Sequence, residues 1–493
     1  MFPSKLAGRT FDAYHVQRVL RLTGEVDPDR MRAAGQALLD RHANLRVAFV
    51  SDARGEWVQL VPGKVALPWR LADLRELAPD DREAERARVL AEDRAEYFDP
   101  AVPPLVRMTL VLTGPAAAEL VLTTHHVLLD GWSLPLLVQD LLKLYGSNGD
   151  ASALPAPPRY RDFLRWLRDR DADATAGAWA SELDGVREPT LLAPDDRSDT
   201  EAGTGQREVP LRAARELARR AAELGVTMNT VVQGAWGIVL ATLTGRDDVV
   251  FGTTVSGRPA DLPGADATIG MFINTVPVRV TCRPAETLRG LLRGLQQRQG
   301  ALLEHHHWGL TDIQRTVGLP MLFDTVTVFE SYPVDGADVG AAGTAAGVSV
   351  TGVTSEDGTH YPLGVAAIAD PYPRIAIAYR RSAFDDAHVD RIAALFGRVL
   401  DRITTDPDLP LGRLDGLDAA EREHLLTGLN VTAPPPPART IWELFEAQAV
   451  ASPDAVAVAY ADQELTYRDL RARSERLAPN SSGAGWGPSP WWP

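Results

Sequence analysis

The sequence predicts a mixed α/β (α+β) protein made of two lobes of similar size with a site between them. Three observations carry this. Strand-like alternation and helix-like apolar spacing follow one another along the chain, and the mixture occurs twice, on either side of a polar stretch around 193–206. The 493 residues are 45% hydrophobic and 24% charged, which is enough to bury sizeable cores.

In the first half, Tyr14, Val16, Leu20 and Leu22 share one face of a strand. Asp27-Pro28 supplies an N-cap with proline at the first helical position, and the helix runs through Met31, Ala34 and Leu38 to end near 41–46. Strands follow at 104–112 and 118–125. Ser133 caps a helix carrying Leu134, Leu137, Val138, Leu141 and Tyr145, and Gly146 stops it. The Pro-rich stretch at 153–163 leads into helices carrying Trp166 and Trp179.

The second half brings helices near 211–224 and 228–243, a strand in DDVVFGTTVSG, and strands around 276–281 and 322–329. A final helix at 385–401 has Val389, Ile392, Leu395, Phe396 and Val399 as its apolar face. These readings divide the chain into a first lobe at 1–175, a second at 176–425, and a Pro-rich linker at 426–439. A short unit follows at 440–478, too small to hold a stable core alone. The tail at 479–493 has three tryptophans without periodicity and reads as a frame break or an expression scar.

A net charge of −15 argues against nucleic acid as a partner, because phosphate neutralisation needs clustered basic surface. The one cysteine, Cys282, permits no internal disulfide and no Cys-based metal cluster, which fits a reducing cytoplasm. The N-terminus has no apolar signal region, and no run of about 18 apolar residues predicts a membrane span.

The chemistry concentrates in THHVLLDGWS, residues 124–133. Alternation sets His126 on the face of Leu120, Leu122 and Thr124 and turns His125 away, so only one histidine faces a given cavity. An imidazole titrating at about 6.5 can take a proton from an amine near neutral pH. Asp130 could orient the imidazole or brace the turn by pairing with an arginine, and the brace is favoured. Gly131 permits close backbone approach, and the helix start at Ser133 offers N–H groups to a developing oxyanion.

Competing chemistries have less support. A His-His pair before a turn also suits a purely structural role. His305-His306-His307 could add ligands, but there is no HExxH and no Cys ligand, so no metal is expected. No GxSxG elbow supports a serine hydrolase, and Cys282 has no local activating pattern.

THHVLLDGWS resembles the HHxxxDG core of condensation domains in nonribosomal peptide synthetases. RHANLRVAF (41–49), YRDFLRW (160–166) and IGMFINTVPVR (269–279) are similar to further blocks of that family, as are LLEHHHWGLTDIQR and LFDTVTVFESYP. They occur in family order over about 14–420. The resemblance implies two chloramphenicol-acetyltransferase-like lobes forming a V, with the active site in the tunnel between them. It implies amide formation from a carrier-bound acyl or peptidyl thioester and a carrier-bound aminoacyl thioester. Both would ride on the 4'-phosphopantetheine arms of donor and acceptor carrier domains from other synthetase modules. His126 is then the active-site histidine, and Asp130 the structural partner of Arg41, Arg46 or Arg279. Gly131 and Trp132 shape the tunnel, and Asn274 lies near the channel where the lobes meet, where packing suits it equally well.

Gly131-Trp132-Ser133 departs from the epimerisation relatives, which place Ser before Trp. The HHVLLDGWSLP wording and the VFESYP segment resemble domains that take a D-configured donor. The helix that precedes the first strand in the family is expected to be missing. Residues 464–478 resemble the first block of an adenylation domain whose remainder is absent. Two alternatives stand beside condensation: an inactive fragment that only docks carriers, and a free-standing acyltransferase of the same superfold.

Overall fold

β1 (His15–Thr23) opens the chain's first sheet, and Asp27 shows how local chemistry sets the next element. Its side chain accepts from the N–H groups of Asp29 and Arg30, and Pro28 takes the first position of α1 (Pro28–Arg41). A hairpin of β2 (Ala48–Ser51) and β3 (Trp57–Leu60) precedes β4 (Trp69–Asp73) and α2 (Pro79–Ala95). β5 (Val106–Gly114), β6 (Ala117–His125) and α3 (Ser133–Gly146) follow, then α4 (Tyr160–Arg168) and α5 (Ala172–Glu182). The structure is a computed structural model describing residues 14–193, 203–330, 336–356, 361–368, 374–430 and 439–482.

The second half contains β7 (Thr204–Glu208), α6 (Ala214–Leu224), α7 (Met228–Thr244), β8 (Asp248–Val255) and β9 (Asn274–Thr281). α8 (Leu288–Ala301), α9 (Leu310–Val317), β10 (Thr325–Glu330), α10 (Gly336–Ala346) and β11 (Ser349–Glu356) come next. β12 (Leu363–Ile368), β13 (Arg374–Arg380) and α11 (Asp386–Thr405) complete it.

The first sheet has the order β11-β1-β6-β5-β4 and the second β7-β13-β12-β10-β8-β9. Alternation gives the first sheet two buried faces. Leu20, Leu120, Leu122 and Leu110 pack with Met31, Leu38, Leu137 and Leu141 of α1 and α3. Val19, Val111 and Val121 turn the other way, onto Val89 of α2. In the second core Trp236 of α7, buried all round, meets Phe396 of α11, with ring centroids 5.6 Å apart.

The lobes are not consecutive stretches of chain. β11 runs antiparallel to β1, from Gln17 opposite Glu356 to Thr23 opposite Ser349. α10 packs on α3, and Ala342 and Val348 sit in the first core. The expected division at 175/176 does not hold for residues 336–356, which lie with the first lobe because β11 fills the edge of β1 opposite β6.

The chain divides into two units, Met1–Gly416 and Leu417–Pro493. The smaller contains α12 (Ala419–Glu423), α13 (Ile441–Ala451), a hairpin of β14 (Val456–Tyr460) and β15 (Gln463–Thr466), and α14 (Tyr467–Ser482). Its helix α13 starts on a capping box between Thr440 and Glu443. Ile441 and Tyr460 of this unit are 88% and 82% exposed. The expectations for the chain's start, for residues 431–438 of the Pro-rich linker and for residues 483–493 of the tail lie outside the described residues, while 479–482 continue α14. No single described helix is long and apolar enough to cross a membrane.

Candidate active site

β6 ends on His125, and a turn carries the chain to α3. The His125 N–H donates to Leu105 O at 2.9 Å and the His126 N–H to Tyr14 O at 2.6 Å, so flanking segments on both sides pin the pair. His125 is 2% exposed; its Nδ1 accepts the Val127 N–H at 3.1 Å, and its ring stacks on Tyr14 at 6.1 Å. A neutral His125 therefore holds its proton on Nε2. His126, one residue on, is half-buried. Asn44 donates to Leu128 O at 2.5 Å and fixes the turn from below.

Asp130 is fully buried, and its partners define the site. Oδ1 accepts from the Ser133 N–H (2.9 Å) and hydroxyl (2.7 Å) and from Arg258 Nη2 (3.0 Å). Oδ2 accepts the Phe272 N–H at 3.1 Å and lies 3.3 Å from Arg258 Nη2. Arg258 is equally committed. Nη1 donates to the carbonyls of Thr268 (2.8 Å) and Ala265, and the guanidinium lies 4.1 Å from the Phe272 ring centre. Burial pushes the guanidinium below its ordinary value, and the Asp130 carboxylate works against that shift.

These residues come from both sheets. Residues 256–273 leave β8 of the second sheet, cross to the first lobe and return to β9. Ile269 of this strap enters the first core. Gly270 ties to both Asp130 and Ser133, its carbonyl accepting the Asp130 N–H (3.2 Å) and its N–H donating to the Ser133 hydroxyl oxygen (3.1 Å). α4 covers the strap: the Tyr160 hydroxyl donates to Met271 O, and Trp166 Nε1 reaches Asp261 at 3.1 Å. A methyl group on Gly270 would run into the Tyr160 ring.

Three expected partners of Asp130 are elsewhere. Arg41 binds Asp140 of α3 at 2.9 Å beside His42, tying α1 to α3. Arg46 donates to the carbonyls of Leu39 (2.6 Å) and Asp40 (2.5 Å), closing the C-terminus of α1. Arg279 pairs with Asp248 at 2.7 Å, across β8 and β9. The partner is Arg258, missed because the strand reading of DDVVFGTTVSG stops one residue short of it. In an Arg-rich sequence only its place after Gly257 at a strand end marks it.

Of the N–H groups at the start of α3, that of Ser133 is already engaged. Ser133 is fully buried and its N–H is held by Asp130, through Oδ1 and through the carbonyl at 3.2 Å. Gly131 and Trp132 are half-buried, and Trp132 Nε1 donates to Asp266 O at 2.9 Å, another tie to the strap. Asn274 at the start of β9 donates to the carbonyls of His306 (2.8 Å) and Trp308 (2.5 Å), so it fastens the histidine run by its main chain. Burial, with His305 and His307 beside it, pushes His306 down to about 4. Among the described residues no three metal-ligating side chains gather.

Comparison with known proteins agrees with this architecture. The model of the family described as "Condensation domain" matches residues 2–426. The linear gramicidin synthase of Brevibacillus parabrevis includes a polypeptide 33% identical over 94% of this chain and 6% of its own length. For a polypeptide of the mycosubtilin synthase of Bacillus subtilis the figures are 31%, 94% and 18%. The chain thus spans a small part of these relatives. The first condensation domain of the calcium-dependent antibiotic synthetase superposes with a TM-score of 0.66 at 21% identity, covering 82% of this chain and 94% of that one. The X-domain in complex with OxyB from teicoplanin biosynthesis gives 0.69 at 22% identity, covering 84% and 93%. With its histidine motif locked to a strap from the second sheet, and with this match over most of its length, the chain belongs to the condensation-domain family.

Proposed function

We propose that this chain forms amide bonds between carrier-bound substrates, with the lock between Asp130 and Arg258 as the observation that carries the reading. That lock joins the turn after His126 to the second lobe, so the histidine is held at the line where the two sheets are tied together. A donor acyl or peptidyl thioester and an acceptor aminoacyl thioester, each on a 4'-phosphopantetheine arm of a carrier domain, meet there. The acceptor nitrogen attacks the thioester carbonyl, the C–N bond forms, the C–S bond breaks and the thiolate leaves. His126 orients the amine, takes its proton and returns it to the thiolate. An α-amine titrating at about 7.7–8.0 needs only modest help, so orientation supplies the larger share. Asp130 acts as a brace, since both its oxygens are occupied by donors.

The test uses the full chain with a donor carrier loaded with an acyl or peptidyl group and an acceptor carrier loaded with an aminoacyl group. Intact-protein mass spectrometry follows the acceptor. The expected result is a mass gain equal to the donor group, reduced at least about 100-fold in rate by His126→Ala. A folded chain that transfers nothing across a panel of donor and acceptor pairs overturns the reading.

A further inference from the structure

Beneath α2 lies a polar cluster that the chemistry at His126 does not use. Asp93 is 4% exposed, and Gln17, Thr123 and Arg107 around it are buried as well. Its Oδ1 accepts Arg107 Nε at 2.7 Å, and its Oδ2 accepts Gln17 Nε2 at 2.7 Å and the Thr123 hydroxyl. Arg107 Nη2 donates to the Asp93 main-chain carbonyl as well. Gln17 also reaches Leu90 O of α2 at 3.0 Å.

The strand registers give this cluster its meaning. Gln17 of β1 and Arg107 of β5 both stand opposite Thr123 of β6, so one row of three strands converges on one carboxylate from α2. The next row on that face pairs His15 with His125. Arg107 Nη2 lies 3.4 Å from His15 Nε2, and the His15 ring packs against Phe98 and Tyr97 at 5.4 and 5.3 Å. His126 follows immediately, where the chain leaves the sheet.

A buried ion pair is a poor device for stability alone, because well-packed apolar residues in its place are often as stable or more so. The same sheet face also carries Val19, Val111 and Val121, which pack on Val89 of α2 by apolar contact. What a charge-assisted network adds is direction: its bonds fix both distance and angle, where apolar contacts allow sliding. Catalytic groups need placement to about 0.5 Å and 10–20°.

We propose that Asp93 and Arg107, with Gln17 and Thr123, form a positioning device that fixes the last row of the first sheet and so the direction in which His126 leaves it. These are positioning residues that act through the strand. The kinetic part of this proposal rests on the amide-forming reading; the placement of His126 does not.

The full chain is compared with Thr123→Val and with the double variant Asp93→Leu/Arg107→Met, whose apolar pair removes the network without leaving a lone buried charge. Melting midpoint, kcat and KM for the aminoacyl acceptor are measured. The His126 imidazole resonance is followed by NMR in histidine-labelled protein, identified by its loss in His126→Gln. The double variant is expected to melt near the parent, lose about tenfold or more in kcat with KM within about twofold, and shift or broaden the His126 resonance. Thr123→Val is expected to move kcat and the resonance in the same sense by a smaller amount, and it decides the matter if the double variant does not fold. In an active parent, unchanged kcat in folded variants, or a loss confined to KM, overturns the proposal. A parent that makes no amide overturns the functional reading instead, and the resonance then decides: an unmoved His126 signal rejects the device.

Discussion

At the scale of single residues, Asp130 and Arg258 are bound to each other's fate. Removing one partner of a buried pair leaves an uncompensated charge, which costs about 3–5 kcal/mol. Arg258→Met is therefore expected to lower the unfolding free energy by that amount in urea titrations at pH 7, and to abolish amide formation. His306 makes a prediction of a different kind. Its folded value, about 4, lies below the ordinary 6.5. The unfolded chain thus binds a proton first as the pH falls. The stability held above 6.5 is lost progressively toward 4, by no more than about 3 kcal/mol and by less where solvent screens the ring. A melting-midpoint profile from pH 7 to 4.5 should be flatter in His306→Gln than in the parent. The sequence pointed to His126 by alternation and to a bracing Asp130, but not to Arg258. Its place after Gly257 at a strand end is a weak local mark, and its partner lies 128 positions away.

At the scale of elements, the strap at 256–273 depends on a tight start. Gly257 has φ +60°, and a methyl group there would run into Phe272 O. Gly257→Ala is expected to cost about 2 kcal/mol or more, since left-handed backbone and a backbone clash add. Gly245 has a similar φ of +66° but open space around it, so Gly245→Ala should cost only the backbone share. Chemical denaturation of both variants measures the difference. The same contrast explains what could be read from sequence. α1, α7 and α11 carry side-chain caps and lie close to where periodicity puts them; α3 does too by its apolar face, although Ser133 is its first residue and not its cap. α2 escaped notice because, of its 17 residues, the buried ones are only Val89 and Asp93. The strap escaped because it has no period at all.

At the scale of the whole molecule, the order of the chain and the order of the sheets disagree. β1 pairs with β6 on one side and, on the other, with β11 from much later in the chain. A chain ended at Glu330 would retain four strands of the first sheet but leave β1 uncovered. It is expected to lack a cooperative thermal transition and to bind a hydrophobic dye, as circular dichroism and fluorescence would show. Two lobes were legible from composition and alternation, but their interleaving was not, because β-pairing at long sequence separation leaves no local mark. Recombination is where that interleaving matters. Exchanging residues 1–175 between two such proteins would marry a foreign β1 to a resident β11 and a foreign Asp130 to a resident Arg258. A single crossover that preserves both partnerships must fall outside the span from β1 to β11, and an internal exchange must leave both partners of each pair on the same parent.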